Sequence, residues 1–489
     1  MKQAKYILFY MSFLFVYFTT YDSSWSNVIE NLLQKDNRAS VVFVTPDSNI
    51  QKLVDQNPPG TTFLIQAGTH RLQQIRPKQG NSFIGSPGAI LSGATEIDNF
   101  SEQGTYWVAE VTVPDIPQKG KCEKQRDGTP FNSCMAANDL FLNDQALLQV
   151  MSLQHVEAGK WFLDPVDNKI YIADNPVGST LEISTKRYAI YGSSNNITIR
   201  NLIIEKYANP AQEGAIHPMN AAQGPLGKHW QIDSNEVKFN HGVGIRLGHY
   251  MRVTNNNIHH NGQLGIGGAG SGITIEDNEI AYNNTQGFDS HWEAGGSKFS
   301  RTENLTVKGN YVHHNKGPGL WTDGNNIHTL YESNRVLENS GPGIFHEISY
   351  SAVIKENVVE KNGFQFQKWV EGAGILVSSS SDVEVVGNTV RNNFHGICGI
   401  QTQRGEGKYG AHEIRNLNVH NNIIVMERGM TGLVVQDLNH SFFKNKNNRF
   451  NKNTYYLAEK MGVSFRWYNG SLNKKEWQKF GQDVEGSFF

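Results

Sequence analysis

Gly317-Pro318-Gly319-Leu320-Trp321-Thr322-Asp323 is followed 24 residues later by Gly341-Pro342-Gly343-Ile344-Phe345-His346-Glu347. Both copies run Gly-Pro-Gly, aliphatic, aromatic, polar, carboxylate, and they belong to a longer rhythm. Asn-x-Ile/Val recurs at Asn235, Asn256, Asn278, Asn310, Asn334, Asn357, Asn388 and Asn422, at intervals of 21, 22, 32, 24, 23, 31 and 34 residues. Gly followed by an apolar residue accompanies it at Gly244, Gly265, Gly287, Gly319, Gly343, Gly374 and Gly396. A base period near 22 with occasional excess describes one structural turn per repeat, the excess confined to loops.

Within a repeat the apolar residues alternate over runs of three to five, as in "NLTVKGNYVHHN" from Asn304, which is the period of short strands and too brief for regular helix. Short strands separated by Asn and Gly turns at this interval predict an all-β chain, a right-handed parallel β-helix or solenoid. Asparagines at one corner can stack from coil to coil, and glycines supply the positive φ of tight corners.

The rhythm sets the expected organisation. Residues 40–100 give N-terminal coils, with "SNIQKLVDQNPPG" from Ser48 as a capping helix. From 101 to 187 the phase is lost, and "TYWVAEVTV", "DLFLNDQALLQV" and "KWFLDPVDNKIYIADNP" read as an inserted small β subdomain. Coils resume over 188–430, and 431–489 is expected to cover the last one. Residues 1–25, with Lys2 and Lys5 before an apolar run from Tyr6 to Phe18, have the form of a signal peptide or N-terminal anchor. The run is short for a membrane span of ~20 residues. The protein is therefore expected to be secreted, periplasmic or on the cell surface, and monomeric. With 44 basic against 46 acidic side chains, nothing favours nucleic acid or an anionic membrane as partner. Cys122 and Cys134 lie in one polar, turn-rich segment and either pair across a loop or stay free; Cys398 reads as packing.

Stacked coils lie ~4.8 Å apart, so equivalent positions form columns. Aligned on the glycine, the next residue is Ile245, Ile266, Phe288, Leu320, Ile344, Ile375 or Ile397, an inward column. Alternation then points positions two and four outward. Position two reads Arg246, Gly267, Asp289, Trp321, Phe345, Leu376, Cys398; position four reads Gly248, Ala269, His291, Asp323, Glu347, Ser378, Ile400. Asp323 and Glu347 thus become vertical neighbours. Like charges on adjacent strands are unfavourable, and aromatics and histidines flank this pair, as a sugar-binding cleft requires. Asp289, His291, Trp321, Asp323, His346 and Glu347 are expected to line one groove together with Phe345. The 287–303 loop, with Trp292 and Glu293, is expected to form its wall, and Arg246 and His249 lie at its lower end. Carboxyl groups ~5–5.5 Å apart suit a retaining glycosidase, one acting as nucleophile and the other as acid/base. A single coil step comes close to that separation, and mutual repulsion raises one of the two pKa values.

Trp321-x-Asp323, an Asn-x-Val strand start and then Phe345-x-Glu347 resemble the catalytic region of β-helix glycoside hydrolases of the β-xylosidase type, within the pectate-lyase-like superfamily. The closing "SLNKKEWQKFGQD" from Ser471 is similar to the ends of such proteins. The resemblance spans about residues 190–489. It implies Asp323 as nucleophile and Glu347 as acid/base, with no cofactor. The opening "VVFVTPDSNIQKLVDQNPPG" lacks the Pro-Asn-Gly-x-Asp start of that family, and "FDSHWEAGG" from Phe288 is peculiar to this chain. The expected activity is hydrolysis of a plant or algal polysaccharide or oligosaccharide. Two other readings stay open. One is a polysaccharide lyase or uronate epimerase with Ca²⁺ on Asp289, Glu293, Asp323 and Glu347 and with Arg246 or His291 nearby, although this alignment puts no lysine in the outward columns. The other is a non-catalytic glycan-binding β-helix.

Overall fold

The computed structural model describes residues 40–489, apart from 118, 125–131, 220–224, 438 and 460. The N-terminal segment 1–39 lies outside the described residues.

The chain winds as a right-handed parallel β-helix, each regular coil contributing three short strands. On the face that matters below, the strands are β1 (Val243–Leu247), β2 (Leu264–Ser271), β3 (Gly295–Lys308), β4 (Leu320–Asp323), β5 (Ile344–Glu347), β6 (Ala373–Ser378) and β7 (His395–Gln401). Each pairs in parallel with the next. Ile245, Ile266, Leu320, Ile344 and Ile375 are fully buried and belong to one continuous interior cluster, so the predicted inward column is real at these positions.

The predicted asparagine corner is a hydrogen-bonded ladder. The Oδ1 of Asn334 accepts from the backbone N–H and side-chain amide of Asn310 at 3.0 and 2.9 Å, while its own amide donates to the Val307 carbonyl at 2.9 Å and to Asn357 Oδ1 at 3.0 Å. The pattern continues upward to Asn422, Asn453 and finally Asp483. A second ladder, which the sequence reading missed, runs five residues further on through Asn240, Asn261, Asn283, Asn315, Asn339, Asn362 and Asn393. It carries the same period and was legible in "HHN", "YNN" and "HHN". Between them the ladders satisfy backbone groups at two corners that strand pairing alone would leave open.

One coil departs from the predicted alignment. Gly287 was read as a landmark glycine, but β3 pairs with β2 through Leu264↔Gly295, Ile266↔Ser297 and Gly267↔Lys298, so Gly296 holds the column. A Cβ there would lie 2.5 Å from the Gly319 carbonyl, which only glycine avoids. The extra residues of this repeat therefore precede the glycine and form a loop over 283–294, so the expected 287–303 wall loop ends at 294 and its remainder belongs to β3. Phe288, predicted to be inward, instead packs outside the coil against Cys134, Ala211 and Ala294. Spacing alone counts the extra residues and does not say on which side of the landmark they fall.

At the N-terminal end, α1 (Ile50–Gln56), capped by the Asn49 side chain, buries Ile50 and Val54 against the first coil. The inserted β subdomain is an eight-stranded sheet drawn from Ala94–Ile97 through Leu181–Ser184, with its own core around Leu140, Trp161, Ile170, Ile172, Leu181 and Ile183. Its anchor is the buried ammonium of Lys206, which meets Glu182 at 2.5 Å and also pairs with Asp144. Cys122 and Cys134 form a disulfide. Cys398 is buried and free. At the far end the helix Lys474–Lys479 closes the last coil with Trp477, packed on Phe465, Phe450 and Trp467.

Candidate active site

Asp323 and Glu347 occupy the same position of β4 and β5, in direct register. Parallel neighbours lie ~4.8 Å apart, so the two carboxylates share one patch of the outer face. Alternation carries them outward while Leu320 and Ile344 fill the interior.

Their surroundings differ. Asp323 is paired with the ammonium of Lys298, Nζ to Oδ2 at 2.7 Å. Lys298 comes from the outward position of β3, is nearly buried, donates to the Trp292 carbonyl at 2.6 Å and lies 3.8 Å from the centre of the Trp321 ring. The opposite face of Trp321 stacks on Phe345 (5.4 Å, 11°), and its indole N–H donates to Glu347 Oε2 at 3.2 Å. Glu347 Oε1 accepts from Arg404 at 2.7 Å. Burial pushes the Glu347 carboxyl up to about 7 and the neighbouring Asp323 charge adds to this, while Arg404, Lys298 and the Trp321 N–H oppose it. The pair therefore contains one carboxylate held against a cation and one carboxyl that keeps its proton up to neutrality.

Above the pair lies a cleft of about 360 Å³. Its floor is made by Trp321, Phe345, Glu347, Leu376 and Ile400, and one wall by the 363–372 segment through Phe366, Trp369 and Glu371. Trp369, at φ +53° and 45% exposed, is the accessible aromatic platform, because Trp321 is only 3% exposed. Burial also raises the Glu371 carboxyl. His291 closes the wall by stacking on Phe366 at 4.1 Å.

The predicted site residues therefore divide. His291, Trp321, Phe345 and Glu347 line the cleft, and Asp323 sits beside the lining one coil away. Trp321 is a braced support for Glu347 and not the sugar-stacking surface expected of it. His346 is not in the groove. It lies at the third, inward position, fully buried, hydrogen-bonded through Nδ1 to Thr322 Oγ1 at 2.7 Å, and burial pushes it down to about 3.

Asp289, Trp292 and Glu293 lie in the 283–294 loop but are not among the residues that line the cleft. Asp289 accepts from the His291 backbone N–H, Trp292 packs with the Cys122–Cys134 region, and Glu293 accepts from Gln212 at 2.6 Å. Arg246 sits three coils below Asp323, where burial lowers its pKa against the pull of Glu293 and Glu213; His249 accepts from the Ser271 N–H at 3.1 Å. The four acids considered as Ca²⁺ ligands are thus scattered onto different partners. Among the described residues no group of three or more His, Cys, Asp or Glu side chains is placed to hold a metal ion.

Lys298 and Arg404 were not foreseen. Correct placement of Gly296 puts Lys298 in the outward column that was read as free of lysine. Arg404 arrives from a non-repetitive segment and carries no periodic signal.

A family model described as "Right handed beta helix region" matches residues 222–390, the coils that carry Lys298, Asp323 and Glu347. No curated protein matches the chain. Among solved structures, the chain is similar to XylC in complex with xylose, with TM-score 0.63 and 14% identity over 92% of this chain and 86% of that one. It is also similar to the A-module of the mannuronan C-5 epimerase AlgE4 of Azotobacter vinelandii, with TM-score 0.50 and 11% identity over 90% and 92%. At such identities the likeness establishes the β-helix and leaves the chemistry to the site.

Proposed function

We propose that this protein is a carbohydrate-active enzyme, a retaining glycoside hydrolase in which Asp323 is the nucleophile and Glu347 the acid/base. The observation that carries this reading is the asymmetric pair: two in-register carboxyl groups one strand apart, one salt-bridged to Lys298 and the other pushed up to about 7 at the floor of an aromatic-walled cleft. A strand step of ~4.8 Å matches the retaining separation of ~5–5.5 Å and falls short of the inverting range. Glu347, protonated in about half of the molecules at neutral pH, gives its proton to the leaving oxygen while Asp323 attacks the anomeric carbon. Glu347, now ionised, then takes a proton from the water that releases the sugar. Lys298 keeps the nucleophile aligned, and Trp369 and Phe345 offer ring faces to the substrate.

The rival lyase or epimerase reading gains a lysine in Lys298. That ammonium is committed to Asp323, the Trp292 carbonyl and the Trp321 ring, which leaves it poorly placed to abstract a proton.

The test begins with plant and algal glycans, xylosides and alginate included because XylC was solved with xylose and AlgE4 is a mannuronan epimerase. New reducing ends without near-ultraviolet absorbance support hydrolysis. On the hydrolysed glycoside, Asp323→Ala should abolish turnover. Glu347→Ala should still accept activated aryl glycosides, and azide should restore its turnover by attacking the glycosyl-enzyme without a general base. An unsaturated product, chelator-sensitive activity and no azide rescue would sink the assignment.

A further inference from the structure

The hairpin that follows β7 makes contacts far from its place in the chain. Its short strands Glu406–Gly407 and Gly410–Ala411 fold back across the coils below. Lys408 Nζ and Tyr409 Oη both reach Glu303 Oε1 on β3, at 2.7 and 2.6 Å. The Lys408 N–H donates to Asn325 Oδ1 at 2.7 Å, and His412 Nε2 lies 3.2 Å from the same oxygen. Tyr350 Oη donates to the Gly410 carbonyl at 2.7 Å. These contacts hold the hairpin over the turns that follow Asp323 and Glu347, and they set Arg404, at its base, against Glu347 Oε1.

We propose that Arg404 is the positioning residue of the acid/base, and that the docking of its hairpin on Glu303 keeps it there. The inference rests on Glu347 being the acid/base. Among the described residues its oxygens have two side-chain partners, the Trp321 indole on Oε2 and Arg404 on Oε1, and of these Arg404 comes from outside the stacked strands. The charged groups facing Glu347 are Asp323 from β4, Lys298 from β3 and Arg404 from the hairpin. Lys368 and Glu371 share its cleft from the 363–372 wall, while Glu406 and His412 stand behind Arg404. Of the two cations acting on Glu347, Lys298 is already bonded to Asp323, so Arg404 is the one free to set the proton affinity and orientation of Glu347. Glu303 touches no cleft residue, yet through Lys408 and Tyr409 it fixes the hairpin.

The direction is fixed by charge. Removing a cation from beside a carboxyl favours its neutral form and raises its pKa, by about one unit or more when the cation stood within ~4–6 Å. Two measurements test the proposal in the full-length protein: the alkaline limb of kcat/KM on an alkyl glycoside, whose leaving group needs the proton, and the ¹³C side-chain titration of Glu347. Arg404→Met should move both to higher pH by about one unit or more and lower kcat, and Arg404→Lys should restore much of the limb. Glu303→Gln should move both in the same direction by less. An unmoved limb and titration in Arg404→Met overturn the positioning role. A shift in Arg404→Met with none in Glu303→Gln overturns the docking half. The titration needs no turnover, so it decides the role of Arg404 even if the hydrolase reading fails.

Discussion

Glu347 shows what a single side chain gives up to be useful. Its carboxyl is pushed up to about 7, out of the usual carboxylate range, because burial and Asp323 disfavour its charge more than Arg404, Lys298 and Trp321 favour it. A folded-state pKa above the unfolded one contributes stability that is full below the unfolded value and is lost as pH rises through the folded value. Between about pH 4.5 and 7 this residue therefore withdraws stability from the native state, up to about 3 kcal/mol for a shift of that size. Glu347→Gln has no such dependence. In urea titrations the variant should gain on the wild type from pH 5 to about pH 7 and then level off, even as the proposed hydrolysis is lost. A constant gap across that range would show that Glu347 is not strained by its surroundings. Lys298, Trp321 and Phe345 form the matching stack beneath, an ammonium and two rings in sequence, and it explains why an aromatic in the Trp321 position is buried beside the cleft.

At the scale of the element, the coil depends on its corners. Most of its strands are short and make few hydrogen bonds each, and the two asparagine ladders add to them at the corners. Asn334→Ala would leave the Asn310 N–H and the Val307 carbonyl buried without their partner. At roughly 1–3 kcal/mol for each group orphaned, the variant should lose on the order of 2–4 kcal/mol, read as a lower urea midpoint. A loss below about 0.5 kcal/mol, typical of a neutral surface change, would mean that water replaces the ladder readily. The first ladder was legible because Asn precedes an apolar strand in every coil. The second was overlooked because its asparagines precede loops of varied length, where polar residues look like ordinary turn composition.

Across the whole molecule, the inserted subdomain and the cleft meet. The Asp289 N–H donates to the Lys121 carbonyl at 2.8 Å and the Glu123 N–H to the Gly287 carbonyl at 2.9 Å, so the segment carrying the Cys122–Cys134 disulfide is stitched to the 283–294 loop. That loop presents His291 to Phe366 and its Trp292 carbonyl to Lys298. Reducing the disulfide, or replacing both cysteines by alanine, should loosen the cleft wall while the coils and their two acids stay in place. The expected result is a several-fold rise in KM with kcat little changed and the far-ultraviolet dichroism of the β-helix preserved. A matching fall in kcat with KM constant would instead tie the disulfide to the coils that carry Asp323 and Glu347.

A β-helix is close to one-dimensional: each coil touches only the coils above and below, so a period in the sequence is already a map of contacts. That is why the all-β solenoid, the inward column at Ile245, Ile266, Leu320, Ile344 and Ile375 and the vertical pairing of Asp323 with Glu347 followed from spacing and alternation alone. Alternation also placed His346 indoors, and reading it into the groove gave its polar neighbours more weight than its position. What spacing could not fix lies where the period breaks. The side of the landmark on which the 283–294 residues fall decided that Gly296, and with it Lys298, holds the column. The 363–372 wall and the hairpin bearing Arg404 come from insertions that fold across coils, guided by ion pairs and ring contacts between residues tens of positions apart. Such contacts have no period, so only the folded chain brings their partners together.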